Sequence, residues 1–240
     1  MIDFGIIAAG DGNRIKVEGS SLPKPLVDIE GMPMIGRLIK IMQASGAASI
    51  SVIVNSDMPD VIDYVNYLKS QTGCPLKILD KKTESSMHTF YELVKLMQPE
   101  DRFVVTTVDT IFRQQDFNRY VEKLKNSSRD WDGVMGVTDF IDDEKPLYVE
   151  VDRDGKITGY KDSTESGIEY VSAGIYGLNR KSLPILQNCI ETGVKRMRNF
   201  QRALVDAGLN IYAFNLGKVV DVDHLEDIAK ANEFLKNISD

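Results

Sequence analysis

Short, almost wholly apolar runs alternate with amphipathic segments through the first half of the chain, and this alternation restricts the possible folds. The apolar runs predict four β-strands: FGIIA (4–8), ISVIV (50–54), LKIL (76–79) and FVVTTV (103–108). The segments between them predict three helices: MIGRLIKIMQA, MPDVIDYVNYLKS and SMHTFYELVKLM. Strands that are apolar on both faces are typical of a parallel sheet covered by helices. The sequence therefore predicts an α/β fold, a Rossmann-like three-layer α/β/α arrangement around a mixed, mainly parallel central sheet.

The second half of the chain predicts further strands and helices in a less regular order. Strands are predicted over GVMGV (133–137), YVEV (148–151), ITGY (157–160), VSAGIYGL (171–178) and IYAFN. Helices are predicted near 181–191, over 197–207 and over LEDIAKANEFLKN. Among the first-half helices, Gly46 is predicted to follow the first, and Asp57 and Ser86 to cap the other two. No repeat or linker divides the sequence, so we expect one domain over residues 1–240.

Composition narrows the classes of partner. Acidic residues outnumber basic ones, 36 to 29, and the net charge of −7 gives no general attraction for nucleic acid or anionic membranes. A phosphate ligand must then be held by a few local cations. The sequence shows neither a signal-peptide pattern nor an apolar run that could span a bilayer. Cys74 and Cys189 lack CxxC spacing and are expected to be free thiols, so we expect a cytoplasmic protein.

The stretch AAGDGNR (8–14) directly follows the first predicted strand, where ligands bind in parallel sheets. Gly10 and Gly12 allow a tight turn whose amides can face an anion, and Arg14 adds a planar cation. A plain strand-to-loop turn with a surface arginine is the alternative. The third glycine of the dinucleotide fingerprint is missing, and no GK[ST] follows. The pattern therefore disfavours a dinucleotide-dependent oxidoreductase and a Walker loop.

The segment LPKPL places Lys24 between Pro23 and Pro25. Proline restricts its own backbone and that of the preceding residue, so the segment is predicted to be extended, with the lysine held in one direction. A solvated lysine in a proline turn is the alternative.

AAGDGNR followed by LPKPLVDIEGMPMI resembles the signature of the sugar-phosphate nucleotidyltransferases, the nucleoside-diphosphate-sugar pyrophosphorylases. The resemblance implies the nucleotide-diphospho-sugar transferase fold, with a nucleotide-binding half (1–125) and an acceptor-binding half with the C-terminal helix (126–240). It also implies that Arg14 and Lys24 are catalytic and neutralise a nucleoside triphosphate. The nucleotide-binding residues that it implies in the loop are Ala8, Ala9, Gly10, Gly12 and Asn13.

The resemblance further implies two carboxylates that hold Mg²⁺. Asp109 follows the strand in FVVTTVDTIF, with Val108 where the family has glycine. VVDVDHLEDIAKA supplies the second carboxylate, which we assign to Asp223 with Asp221 as the alternative. Both point the same way in an extended stretch, and either could instead cap the final helix.

Two other segments resemble family regions less closely. In TESSMHTFYEL, Ser85 and Ser86 stand where the family has Gly and Thr beside the base and ribose. ITGYKDSTESGIEYVSAGIYGL resembles the acceptor side, although a plain surface hairpin and strand is the alternative. The acceptor-binding residues implied there are Lys161, Glu169, Ser172 and Gly174. We interpret His88 and His224 as structural, and KRMRNFQR (195–202) as a solvated helix face or a phosphate contact.

The predicted activity is Mg²⁺-dependent condensation of an NTP with a sugar 1-phosphate, giving an NDP-sugar and pyrophosphate. By resemblance, the product would be a precursor of cell-envelope polysaccharide. One alternative is a cytidylyltransferase acting on phosphocholine or another small phosphate. Another is a catalytically silent homologue that binds nucleotide without forming a product.

Overall fold

A computed structural model describes residues 2–142, 144–164, 167 and 169–236 of the chain. Its strands are β1 Ile2–Ala8, β2 Asp28–Ile29, β3 Met32–Pro33, β4 Ala47–Val54, β5 Leu76–Asp80, β6 Phe103–Thr107, β7 Thr110–Ile111, β8 Gly133–Thr138, β9 Tyr148–Val151, β10 Ile157–Lys161, β11 Tyr170–Leu178, β12 Ile211–Asn215 and β13 Val220–Asp221. Its α-helices are α1 Asn13–Val17, α2 Met34–Ala44, α3 Pro59–Lys69, α4 Ser86–Met97, α5 Gln114–Asn126, α6 Ser182–Glu191, α7 Met197–Asp206 and α8 Leu225–Lys236. One turn of 3-10 helix covers Lys24–Leu26.

The central sheet is mixed, as the sequence predicts. Its order is β10-β9-β11-β6-β1-β4-β5, with β8 beside β11 and β12 beside β8. β1 runs parallel to β4 and β6, and β4 runs parallel to β5. The second half of the chain joins through β11, which is antiparallel to β6. The predicted α/β fold is therefore confirmed: β6, β1, β4 and β5 of the first half form its main parallel part, and β12 runs parallel to β8 in the second half.

Helices cover both faces of this sheet because side chains alternate along the strands. From β1, Phe4 and Ile6 pack into one core with α2, α3 and α5. Ile7 lies in the other core, with residues of α4, α6 and α7. Strands buried on both sides explain the continuous apolar runs in the sequence.

The structure corrects several sequence predictions. α3 begins at Pro59 with Met58 as its N-cap, whereas Asp57 binds Lys82 at 2.6 Å. Ser85, not Ser86, caps α4, and its hydroxyl accepts the His88 N–H. The LPKPL segment is not extended throughout, because Lys24 begins a 3-10 turn.

α5 was not predicted from the sequence, although a signal for it exists. Its buried residues Phe117, Tyr120, Val121 and Leu124 recur at the helical spacing. Many polar residues surround them, so the apolar stripe is narrow.

Among the described helices, none is long and apolar enough to cross a membrane. Cys74 and Cys189 are free, as predicted.

The carboxyl ends of β1, β4 and β6 lie at one edge of the sheet, because these strands are parallel. The glycine loop follows β1, and Asp109 follows β6 after one residue. A small antiparallel pair, β7 with β13, brings the late segment to the same edge. There the Val222 N–H donates to the Asp109 carbonyl at 3.0 Å. Residues from both halves of the chain therefore meet at this edge.

Gly174 lies where β11 crosses the β6–β7 connection. Its φ is +67°, and a Cβ there would lie 2.7 Å from Thr107 Oγ1 and 2.8 Å from Thr110 Oγ1. We expect Gly174→Ala to lower the free energy of unfolding by about 2–4 kcal/mol, from backbone strain and crowding together. Gly208→Ala is the control, because Gly208 has φ +77° with no atom within 4 Å. Urea unfolding should show a clearly smaller loss for Gly208→Ala; equal losses would refute the crowding.

Candidate active site

An ammonium group lies between two carboxylates at the carboxyl edge of the sheet. Lys24 Nζ donates to Asp109 Oδ2 at 2.6 Å and to Asp223 Oδ1 at 2.7 Å. Arg14 Nη1 donates to the other oxygen of Asp223 at 2.6 Å. The structure thus brings together both predicted catalytic cations and both preferred metal-binding carboxylates.

The glycine loop is shaped to admit the Lys24 side chain. Gly12 has φ +60°, and a Cβ there would lie 2.8 Å from the Cβ of Lys24. Gly10 is different, because a Cβ there would meet no atom within 4 Å. Gly12 is therefore required by the fold, whereas Gly10 faces open space that a ligand can approach.

Burial and neighbouring charges shift the pKa values of this cluster in opposite directions, and the effect of the charges is the larger. Burial acts to lower the pKa of Lys24, but Asp109 and Asp223 raise it above its ordinary value. Burial acts to raise the pKa of Asp109, but the charge of Lys24 and hydrogen bonds from Lys24 and Thr107 hold it below the usual range. The exposed fraction of the Lys24 side chain is 11%, and that of Asp109 is 27%. Both groups are therefore charged at neutral pH, in a partly desolvated setting that strengthens their interactions.

The cluster lies beside a cavity of about 380 Å³. Every predicted nucleotide-binding residue contributes to its lining: Ala8, Ala9, Gly10, Gly12, Asn13, Ser85 and Ser86. Val108, which replaces the family's glycine, also lines it. The dimensions fit a small-molecule ligand, and the convergent charges would favour a phosphorylated one.

A model of the nucleotidyl transferase family matches residues 5–238. The chain belongs to the nucleotidyl transferase family. A Methanococcus maripaludis (strain C5) protein described as bifunctional protein GlmU is 23% identical over 98% of this chain, which spans 55% of that relative. The solved structure of the inositol-1-phosphate CTP transferase from T. maritima has a TM-score of 0.82 at 17% identity, covering 100% of this chain and 97% of that one. The CTP:phosphocholine cytidylyltransferase from Streptococcus pneumoniae has a TM-score of 0.75 at 19% identity, covering 98% and 99%. These two likenesses concern the fold.

A second cavity of about 380 Å³ adjoins the first in this nucleotidyl transferase. It shares Arg14 and Asp223 with the first cavity, and most of its other lining residues are acidic. Asp221 lines this second cavity. Asp223 contacts both Lys24 and Arg14, and it shares the Lys24 ammonium with Asp109.

The Asp223 carboxylate does not cap the final helix, because its two oxygens accept from Lys24 and Arg14. The Asp227 carboxylate accepts the backbone N–H groups of Asp223 at 3.1 Å and of His224 at 2.8 Å. The first N–H of α8, from Leu225, donates to Glu18 Oε2 at 2.8 Å. The carboxylates of Asp227 and Glu18 therefore accept the N–H groups at the start of α8, and Asp227 also holds the backbone of Asp223.

The four predicted acceptor-binding residues are not among those that line either cavity of about 380 Å³ in the described part of the chain. Lys161 Nζ lies 3.8 Å from Glu150 Oε2 on the surface. Ser172 donates to Gln201 at 3.0 Å, Gly174 packs against threonines, and Glu169 is exposed just before β11. Their acceptor roles stay predictions; the structure adds a side-chain hydrogen bond for Ser172 and a close packing contact for Gly174.

The KRMRNFQR cluster is paired with acidic side chains of the protein. Arg198 and Arg202 both bind Asp162, at 2.5 and 2.8 Å, and Lys195 binds Glu84. Arg198 and Arg202 are only about one quarter exposed, whereas Lys195 and Arg196 are exposed. The cluster is therefore not a plain solvated face. His88 is bonded to Ser85 at 2.8 Å, in agreement with a structural role.

Sequence reasoning missed Asn55, which follows β4 at the same edge of the sheet. Asn55 is buried, and its amide donates to Asp11 Oδ1 at 3.1 Å within the glycine loop. A polar residue directly after an apolar strand was the available signal, since that is where loops meet ligands. Thr107 was also missed; it bonds Thr110 at 2.7 Å and supports Asp109.

The two glycines of the loop should respond differently to substitution. Gly12→Ala is expected to lower the free energy of unfolding by about 2–4 kcal/mol, because strain adds to the contact with Lys24. Gly10→Ala should leave stability within about 0.5 kcal/mol of wild type while weakening nucleotide binding, since its methyl group projects into open space. Urea unfolding and calorimetric titration with NTPs test this. Comparable destabilisation by the two substitutions would contradict the loop geometry.

Replacing Lys24 should make stability depend on pH in a specific way. Lys24→Met is expected to cost about 2 kcal/mol near pH 7, because Asp109 and Asp223 lose their shared cation. The wild-type contribution of Asp109, whose pKa is depressed, is complete above the ordinary carboxyl value of about 3.9 and is lost as the pH falls through the folded value. In the variant this pKa should rise, so protonation relieves repulsion.

The stability difference between wild type and Lys24→Met should therefore narrow as the pH falls from about 7 to about 4. Urea unfolding across this range measures it. Lys40→Met, at an exposed position on α2, is the matched control and should differ little from wild type throughout. A difference for Lys24→Met that stays constant with pH would show that the carboxylates do not depend on Lys24.

Proposed function

We propose that this nucleotidyl transferase transfers the nucleotidyl group of an NTP to a sugar 1-phosphate, forming an NDP-sugar and pyrophosphate. The observation that carries the proposal is the cluster of Arg14, Lys24, Asp109 and Asp223 beside the cavity lined by the glycine loop. The sugar 1-phosphate is supported by the resemblance of residues 8–35 to the sugar-phosphate nucleotidyltransferases.

The reaction is an in-line displacement at phosphorus. An oxygen of the acceptor phosphate attacks the α-phosphorus, a new P–O bond forms, and the bond to the bridging oxygen of pyrophosphate breaks. The acceptor is already ionised at neutral pH, so no protein nucleophile is needed. Catalysis then comes from positioning and from stabilising charge on the phosphates.

Arg14 and Lys24 suit different parts of this task. The Arg14 side chain is 59% exposed, so its guanidinium can reach the leaving pyrophosphate. Lys24 lines the same cavity with a side chain that is only 11% exposed, and its ammonium would donate to the α-phosphate. The adjoining cavity shares Arg14 and Asp223 with the first, but most of its other lining residues are acidic, so the acceptor phosphate would have to bind beside Arg14.

The residues of the cluster fit Mg²⁺. Asp109 and Asp223 come from separate segments, and their carboxylates already share one cationic group. Among the described residues, no three His, Cys, Asp or Glu side chains form a group that could hold a metal. Mg²⁺ commonly uses one or two carboxylates together with substrate phosphates and water, so two suffice. Asp109 and Asp223 would hold the ion, which would supply positive charge beside the α-phosphate.

Pyrophosphate release with Mg²⁺ tests the proposal. ATP, CTP, GTP, UTP and dTTP are each paired with a panel of sugar 1-phosphates, inositol 1-phosphate and phosphocholine. We expect release with one NTP and a sugar 1-phosphate. Release with CTP and a non-sugar phosphate alone would support the cytidylyltransferase alternative. Nucleotide binding without release across the panel would support the catalytically silent homologue.

Asp109→Asn should lower pyrophosphate release by about 100-fold or more, because it removes a charge at the reacting phosphates. The fold should remain intact by circular dichroism. Asp63→Asn, which makes the same change at an exposed position on α3, should retain wild-type activity. An active Asp109→Asn protein would remove this carboxylate from the mechanism.

A further inference from the structure

The short helix α1 holds the segment before α8 at two points. Arg14 donates to the Asp223 carboxylate at 2.6 Å. Four residues later, at the end of the same helix, Glu18 Oε2 accepts the Leu225 N–H at 2.8 Å. The other oxygen of Glu18 is hydrogen-bonded to His224 Nδ1. Residues 223–225 are thus tied at both ends to the helix that continues the glycine loop.

These polar contacts matter because α1 has little apolar packing. Among its five residues, all of them described, Ile15 alone is buried, and Val17 is 86% exposed. The Arg14 contact is a largely exposed ion pair, which by itself stabilises little. The Glu18 contact differs, since it satisfies the first backbone N–H of α8, which has no partner within the helix.

The orientation of Asp223 depends on this segment. Its carboxylate must face Lys24 while its backbone N–H donates to Asp227 at 3.1 Å. Asp227 belongs to α8 and moves with that helix. Glu18 is the C-cap of α1, so its contact with Leu225 fastens the residue after His224 to the end of that helix, close to the point where Arg14 holds Asp223.

We propose that Glu18 is a positioning residue for nucleotidyl transfer, which holds the 223–225 segment against α1 so that Asp223 stays opposite Asp109. The proposal rests on the proposed function. Glu18 touches no reacting atom, and its effect passes through the backbone of Leu225 and the ring of His224 to the carboxylate of Asp223.

The test compares Glu18→Ala, Glu18→Gln and the control Glu233→Ala. Glu233 is an exposed carboxylate on α8, and it lines neither of the two cavities. Two properties are measured: the Mg²⁺ concentration for half-maximal pyrophosphate release, and Mn²⁺ binding followed by electron paramagnetic resonance. The Mn²⁺ titration contains the NTP that supports release, or an equal mixture of the five NTPs if none does.

Glu18→Ala is expected to weaken Mn²⁺ binding and raise the half-saturating Mg²⁺ concentration by about tenfold, as loss of a group that orients a metal ligand usually does. Glu18→Gln should stay within about twofold of wild type, because the amide oxygen can still accept the Leu225 N–H and the amide nitrogen can donate to His224 Nδ1 in the neutral tautomer that leaves Nδ1 unprotonated. Glu233→Ala should match wild type. Recovery in the glutamine variant separates positioning from a general loss of stability.

Wild-type metal affinity in Glu18→Ala would overturn the inference. A Glu18→Gln protein as weak as Glu18→Ala would also overturn it, because charge and not the hold on Leu225 would then matter. A wild type that binds no Mn²⁺ in the presence of nucleotide would overturn it as well. Failure of the proposed function is distinct, since the wild type would then release no pyrophosphate while the Mn²⁺ comparison still stands.

Discussion

The ammonium of Lys24 joins three parts of the chain that are far apart in sequence, and the candidate site depends on this junction. Its hydrogen bonds to Asp109 and Asp223 link the loop after β1 to the loop after β6 and to the segment before α8. Gly12 makes the junction possible, because a larger residue there would contact the Lys24 stem. The cluster therefore depends on the backbone conformation of Gly12 and on the largely buried ammonium of Lys24.

Such a cluster is a costly way to stabilise a fold. Desolvating charged groups offsets much of the energy of pairing them, and apolar residues of similar volume often stabilise as well or better. The same partly desolvated charges are effective at holding phosphates, since they are already oriented when the ligand arrives. The physical cost therefore favours a functional explanation of the cluster over a purely structural one.

The elements that form by local rules could be predicted from the sequence, and those that form through distant contacts could not. Apolar runs predicted the main strands, because a strand that is buried on both faces consists almost entirely of apolar residues. The LPKPL backbone was predicted wrongly, since its turn packs Lys24 towards residues 85 and 199 positions away. The predicted N-cap of α4 was wrong by one residue, because the sequence does not distinguish the adjacent Ser85 and Ser86 as caps.

The candidate site shows the same division. The glycine loop and Asp109 were predictable because ligands gather at the carboxyl edge of a parallel sheet. Glu18 and Asn55 were not, because their partners are a backbone N–H and a loop carboxylate that only the folded chain brings near. The acceptor-binding residues stay predictions; Ser172 lies on β11, whose position is set by antiparallel pairing with β8 and β9, which are distant in sequence.

The two adjoining cavities suggest how the halves of the chain act together. In an in-line transfer, the acceptor oxygen and the leaving oxygen lie on opposite sides of the phosphorus. Two substrates must then approach a shared set of charges from two directions. Arg14 and Asp223 form part of the wall of both cavities, and Lys24 lines the first. The parallel strands of the first half and the late segment that returns Asp223 to the same edge together form this shared wall.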